Sequence, residues 1–289
     1  MNDCLTKSIR CKGNVRIVTD TNGKYIYKKN KKKNRSVYNY LISKNFPYFP
    51  KVYTDINDDI EIVEYIDDIV NDNSTKLEDL LNLVPLLHSK TVHYRTVDLD
   101  DVKKIYEELK NRFEYLYSYY VNIEKMIEEE TYMSPSNYYF ILNVSSVFKV
   151  LEFGNQMIEN WYQHINNQKT LRFVLAHHNL KVDHLLKNTN PYLISWDLAD
   201  FDYISEDLVS IFENNYQEIE IDTILNLYNS KYQLKDYEYE LFMAKICLLK
   251  HINFNNLESK RIVDVVNFNT YVSKIYSYIL KQNSNNSNY

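Results

Sequence analysis

Three glycines and five prolines in 289 residues leave this chain few places to turn sharply. Glycine supplies the backbone conformations that tight turns need, and proline stops helices. Their scarcity favours long helices separated by few breaks. Hydrophobic residues make up 45% of the chain, enough for a sizeable core. The length suits two lobes or one large domain. A net charge of −5 has the wrong sign for a nucleic-acid-binding domain, which is normally basic. Cys4, Cys11 and Cys247 have no metal-ligand spacing and form no even-numbered framework. The N-terminal stretch lacks the apolar core of a signal peptide, and no run of about 18 apolar residues occurs. The expected setting is the cytoplasm, with neither membrane nor nucleic acid as a partner. The 28 tyrosines, beside many Asn and Lys, read as the codon bias of an AT-rich genome rather than a specialised aromatic surface.

Local patterns divide the chain into a β-rich start and a helical remainder. RIVTD and KYIYKK flank Thr21-Asn22-Gly23, and Asn-Gly between two such runs predicts a hairpin. The basic run KKNKKKNR, Lys28 to Arg35, reads as a solvated loop, and SVYNYLISKNF as one helix near 36–45. Phe46-Pro47 and Phe49-Pro50 stop it. KVYTD and IEIVEYI predict two more strands. Helices are then expected over 77–89, with Pro85 as a kink, over 99–130, and from a Ser134-Pro135 start to about Ile165. LRFVLAHHNL and PYLISWD predict a small hairpin across the turn Asn188-Thr189-Asn190. Further helices are expected near 206–214, 222–231, 236–252 and 260–281. The expected organisation is an N-lobe over 1–66, a helical C-lobe over 67–281 and a disordered tail over 282–289.

His and Asp residues near the ends of the predicted hairpin, after a small β lobe and a helical lobe, give an order that resembles protein-kinase-like folds. The local sequences resemble the aminoglycoside phosphotransferase and choline kinase superfamily. Its motif His-Gly-Asp-Leu, four residues and Asn is matched, one residue tighter, by His177-His178-Asn179-Leu180 through His184. Its Ile-Asp-Trp-Glu is matched by Ile194-Ser195-Trp196-Asp197, and an upstream Leu-His by Leu87-His88. Tyr48-Phe49-Pro50, LHSKT, Ser134-Pro135-Ser136 and HHNLKVDHLL look most like a branch in spore-forming, low-GC bacteria that includes spore-coat-associated members. The resemblance spans roughly residues 10–280 and implies an α+β, bilobal kinase-like fold, with a small antiparallel β lobe holding one helix and a large helical lobe carrying a β hairpin.

Phosphoryl transfer needs metal-held phosphates, a lysine on the nucleotide and a carboxylate that orients the attacking hydroxyl. The resemblance places Lys28, with Lys29 as fallback, at the nucleotide lysine. In the family that lysine pairs with a glutamate on the following helix, yet no Asp or Glu occurs between Thr21 and Thr54. Only Gly13 is available for a phosphate-covering loop. The catalytic Asp position matches Asn179, which cannot accept a proton near neutral pH. The two metal positions match His184 and Ser195, and Mg²⁺ prefers oxygen ligands. Asp183 and Asp197 are the candidate substitute metal ligands. His177, Trp196 and Asp207 match framework positions, with Asp207 on the helix after the hairpin.

Three functions follow from this pattern. The first is a pseudoenzyme, a binding or scaffold protein with weak or no phosphotransfer, taking a protein partner or nucleotide in its interlobe cleft. The second is an active small-molecule phosphotransferase using ATP and Mg²⁺ through Asp183 and Asp197. The third is a structural component of a spore coat. Asn179, His184 and Ser195 are expected together on the cleft floor.

Overall fold

A computed structural model of the chain describes residues 8–12, 15–21, 23–29, 32–54, 60–69 and 72–286. The first strands are β1 (Ser8–Lys12), β2 (Val15–Thr19) and β3 (Lys24–Lys29), followed by α1 (Lys32–Ser43), β4 (Val52–Thr54), β5 (Ile60–Glu64) and α2 (Asn73–Thr91). The middle of the chain holds β6 (His93–Thr96), α3 (Leu99–Glu128), α4 (Pro135–Ile141), α5 (Val144–Ile165) and β7 (Thr170–Ala176). Then come β8 (Leu185–Lys187), β9 (Pro191–Leu193) and β10 (Asp200–Asp202), with 3₁₀ turns at Val182–His184 and Trp196–Leu198. The chain closes with α6 (Ile204–Asn215), α7 (Ile221–Asn229), α8 (Asp236–Ile246) and α9 (Glu258–Asn286).

Two compact units divide these elements. One contains the described residues of Met1–Val92 together with Val174–Asp202; the other contains those of His93–Phe173 and Tyr203–Tyr289. The expected small lobe, 1–66, falls wholly within the first. There, five strands pair antiparallel in the order β1-β2-β3-β5-β4. The predicted hairpin joins β2 to β3. Its turn closes by Asp20 N–H to Gly23 O at 2.9 Å and by Gly23 N–H to Asp20 Oδ1 at 2.9 Å, and Gly23 has φ 151°. A side chain resists that conformation, so glycine is the residue it calls for.

α1 buries Val37, Tyr38 and Leu41, and Tyr38 stacks on Phe49 with ring centres 5.4 Å apart. The helix lies against the turn Trp196–Leu198, and α2 lies against the turn Val182–His184 and β8. α2 begins at an Asp72 cap, whose carboxylate accepts from Thr75 N–H at 3.0 Å, and it runs through the buried Pro85. Ile69 N–H donates to Lys187 O at 2.9 Å, while Lys187 Nζ pairs with Asp79 at 2.5 Å. The hairpin strand β8 is thereby fastened to the chain on both sides of the α2 cap.

The second unit is a helical core. α5 packs between α3 and α8, and α9 covers α4 and α5. Val102, Phe113, Leu116, Tyr120 and Ile127 form the buried stripe of α3; Val147, Val150, Leu151, Ile158, Trp161 and Ile165 form that of α5. Arg172, on the half of β7 that pairs with β6, meets Glu238 through a buried two-pronged contact, with Nε 2.8 Å from Oε1. None of the helices among the described residues is long and apolar enough to cross a membrane.

Several boundaries differ from the sequence reading. The basic run is not a loop throughout, because Lys32 to Arg35 already form the first turn of α1. No Gly or Pro interrupts it, and Asn34 is drawn fully into the interior. The helix expected from Ser134 to Ile165 is two helices. Asn143 lies between them and its Nδ2 donates to Tyr139 O at 2.9 Å, the local side-chain bond that competes with helix continuation. LRFVLA does not form a hairpin with PYLI. It pairs with β6 at one end and with β10 at the other, neither of which was foreseen, while the hairpin across 188–190 joins β8 to β9. α8 ends at Ile246 rather than near 252. α9 continues to Asn286, with Ser284 Oγ donating back to Leu280 O at 2.9 Å, so residues 282–286 are helical rather than a loose tail.

Helix packing in the second unit leaves no room for a side chain at Gly154. A Cβ there would lie 2.4 Å from Cys247 Cβ and 2.6 Å from the Phe113 ring. In an open helix Gly→Ala is stabilising by about 0.5–1 kcal/mol. Here overpacking, typically about 1–3 kcal/mol, is the larger effect. Gly154→Ala is expected to lower the denaturation midpoint in urea; an unchanged or raised midpoint would mean the α3–α5–α8 contact is loose.

Candidate functional site

The first unit folds the matched motifs into one hydrogen-bonded loop system. His177 follows β7, is completely buried, and donates from Nε2 to Ile194 O at 2.9 Å. Its ring meets the edge of Trp196, with centres 4.6 Å apart. Trp196 Nε1–H donates to Leu193 O at 2.9 Å. His184 links the other members. Its Nδ1–H donates to Asn179 O at 2.8 Å, and its own carbonyl accepts from Ile194 N–H at 3.0 Å. His184 thus joins Asn179 to Ile194, the residue before Ser195. His177 and Trp196 each hold a backbone carbonyl of the segment 193–194. Asp207 is fully buried on α6, in the other unit.

Backbone conformation marks the same loop. Asn45, His178 and Ser195 are the described non-glycine residues with positive φ. Asn45 ends α1, where Phe46 N–H reaches back to Leu41 O at 3.0 Å, an ordinary helix cap. His178 (φ 58°) and Ser195 (φ 67°) lie in the two motifs. A left-handed conformation costs a residue with a Cβ about 1–2 kcal/mol. His178 stands where the family motif has glycine and keeps a glycine's backbone conformation. Its Nε2 lies 3.5 Å from Asp202 on β10.

Lys28 is not one solvated cation among several. Its Nζ lies 3.5 Å from Glu61 Oε1, with 20% of the Lys28 side chain and 4% of the Glu61 side chain exposed. The helix after β3 supplies no acid, as expected; strand β5 supplies it instead. Lys28 and Glu61 are directly opposite across the β3–β5 ladder, where opposite charges attract. Asn34 and Tyr38, one turn apart on α1, complete the surroundings of Glu61. Asn34 Nδ2 donates to Glu61 Oε2 at 3.3 Å and to Asp197 Oδ1 at 2.7 Å. Tyr38 hydrogen-bonds Glu61, and its phenol is pushed far above the ordinary range by burial first and by the Glu61 charge second. It therefore remains a neutral donor across the accessible pH range.

Asp183 is exposed on the turn Val182–His184, while Asp197 is partly buried and tied to Asn34. Among the described residues no three His, Cys, Asp or Glu side chains converge as a metal site. The two matched metal positions offer an imidazole committed to a carbonyl and a neutral hydroxyl, which do not suit Mg²⁺. Gly13 lies outside the described residues.

No family model matches the chain, and no curated protein matches it. Solved structures do. The aminoglycoside phosphotransferase from Alicyclobacillus acidocaldarius subsp. acidocaldarius DSM 446 superposes with a TM-score of 0.68 at 9% identity, over 96% of this chain and 92% of that one. The chain has the aminoglycoside phosphotransferase fold. Spectinomycin phosphotransferase in its AMP-bound complex superposes with a TM-score of 0.53 at 13% identity, over 94% and 93% of the two chains. In this phosphotransferase-like chain Glu61, Asn34 and Tyr38 escaped sequence reasoning. The available signal was a glutamate on the inward-facing side of an apolar strand, IEIVE, whose burial alternates with Glu61 and Val63 inside.

Glu61 therefore pairs with an ammonium and accepts from an amide and a phenol. Hydrogen bonds to charged groups are worth about 1.5–3 kcal/mol. Glu61→Ala is expected to destabilise the protein by at least that much, and Glu61→Gln by less, since it keeps an acceptor oxygen. Equal, negligible effects in urea unfolding would show that this cluster does not hold α1 in place.

Proposed function

We propose that this chain is a kinase-like pseudoenzyme, a binding or scaffold protein with weak or no phosphotransfer. The observation that carries the reading is the use of His184. At a position matched to a metal ligand, its imidazole donates to Asn179 O at 2.8 Å and so braces the loop. The neighbouring matched positions agree with it. The amide of Asn179 cannot act as a base, and Ser195 offers a neutral hydroxyl on a left-handed backbone. A missing general base alone lowers rates roughly 10²–10⁴-fold, and losses among cooperating groups compound without being additive.

The second reading is an active ATP-dependent phosphotransferase that uses Asp197 and Asp183. The Lys28–Glu61 pair favours it, because a lysine held by a buried carboxylate is a workable phosphate contact. Nucleotide binding at Lys28 is compatible with both readings, whereas Mg²⁺-dependent turnover belongs to the second alone.

The test is phosphate transfer from Mg²⁺-ATP to a panel of small alcohols and amines. The expected result is no turnover above background for the natural chain, and a gain in Asn179→Asp combined with Ser195→Asp. Robust transfer by the natural chain, abolished by Asp197→Ala, would overturn the proposal and make Asp197 a metal ligand.

A further inference from the structure

Asn34 has no exposure to solvent, although it sits in the first turn of a helix that begins with lysines. Its two amide hydrogens go to two different carboxylates: Glu61 Oε2 at 3.3 Å and Asp197 Oδ1 at 2.7 Å. Those acids come from a strand and a turn that are remote in sequence. The other oxygen of Glu61 faces Lys28. The amide oxygen of Asn34 is buried and accepts no hydrogen bond, so the side chain is held by its donor end alone.

Two carboxylates that converge repel one another unless positive charge or a donor lies between them. A hard divalent cation fills such a gap with oxygen ligands drawn from both. We infer that the Asn34 amide stands in for a divalent cation between Glu61 and Asp197. The NH₂ group presents its two partly positive hydrogens where an ion would present its charge, and it does so without an ion to be lost. The inference concerns the site of the proposed function and deepens that reading by giving the cluster a metal-independent closure. It rests on the geometry of Asn34 and needs no nucleotide at Lys28.

The amide also sets the specificity of the gap. Replacing it with a carboxylate converts a donor into an acceptor and leaves three acids facing one another, a cluster that a divalent cation neutralises with oxygen ligands from all three. The natural chain, Asn34→Asp and Asn34→Ala are titrated with Ca²⁺ and with Mg²⁺ in the absence of nucleotide, and melting temperature and calorimetric stoichiometry are read. The natural chain is expected to show no one-to-one cation binding. Asn34→Asp is expected to melt lower in EDTA and to regain at least about 2 °C with either ion, binding one ion; adding Glu61→Gln abolishes that gain.

Two results would overturn the inference. One is a folded Asn34→Asp protein that binds no cation. The other is one-to-one binding by the natural chain that Asn34→Ala removes, which would make Asn34 a ligand rather than a substitute. If Asn34→Asp folds at no cation concentration, Asn34→Ala decides. With the amide gone, Glu61 and Asp197 must then acquire cation-dependent stabilisation, and a lack of response counts against the inference. Phosphotransfer by the natural chain would sink the pseudoenzyme reading while leaving this titration interpretable, and the reverse also holds.

Discussion

A carboxylate with almost no solvent exposure keeps its charge only if the protein replaces the water it has lost. Glu61 solves that problem with Lys28 from the adjacent strand and with Asn34 and Tyr38 from α1. The same amide reaches Asp197, so one buried group connects the antiparallel sheet, its helix and the turn after β9. The arrangement of the first unit depends on this shared solvation. Tyr38 is stacked on Phe49 and Phe46 meets the edge of Trp196, which places the apolar packing beside the polar cluster.

The loop around the matched motifs is held by its own side chains and backbone. His177 holds Ile194, Trp196 holds Leu193, and His178 keeps a left-handed backbone where a glycine would be easier. The positions that the resemblance matches to proton and metal handling carry an amide, an imidazole and a hydroxyl. The ring and the backbone of His184 together join Asn179 to Ile194.

Much of the fold was legible because it depended on local signals. Thr21-Asn22-Gly23 specified a hairpin, Ser134-Pro135 a helix start, and the apolar steps of 99–130 a long helix. What stayed hidden depended on pairings between distant segments. β6 and β10 are short strands that exist because β7 lies beside them, and nothing in HYRT or DFD alone marks a strand. Glu61 could be assigned to Lys28 only from the β3–β5 register. Asn34 was read as part of a charged, solvated run, and its burial follows from two acids that are 27 and 163 residues away. The candidate loop was therefore readable by motif, while the cluster that neutralises it was not.

The most direct measurement for the account is a thermal-shift titration with ATP, in EDTA and in Mg²⁺, on the natural chain and on Lys28→Met. A ligand that binds the folded state alone must raise its stability. The account predicts that any rise in melting temperature is the same in EDTA and in Mg²⁺ and is lost in Lys28→Met. A rise seen only with Mg²⁺, or one untouched by Lys28→Met, would contradict it.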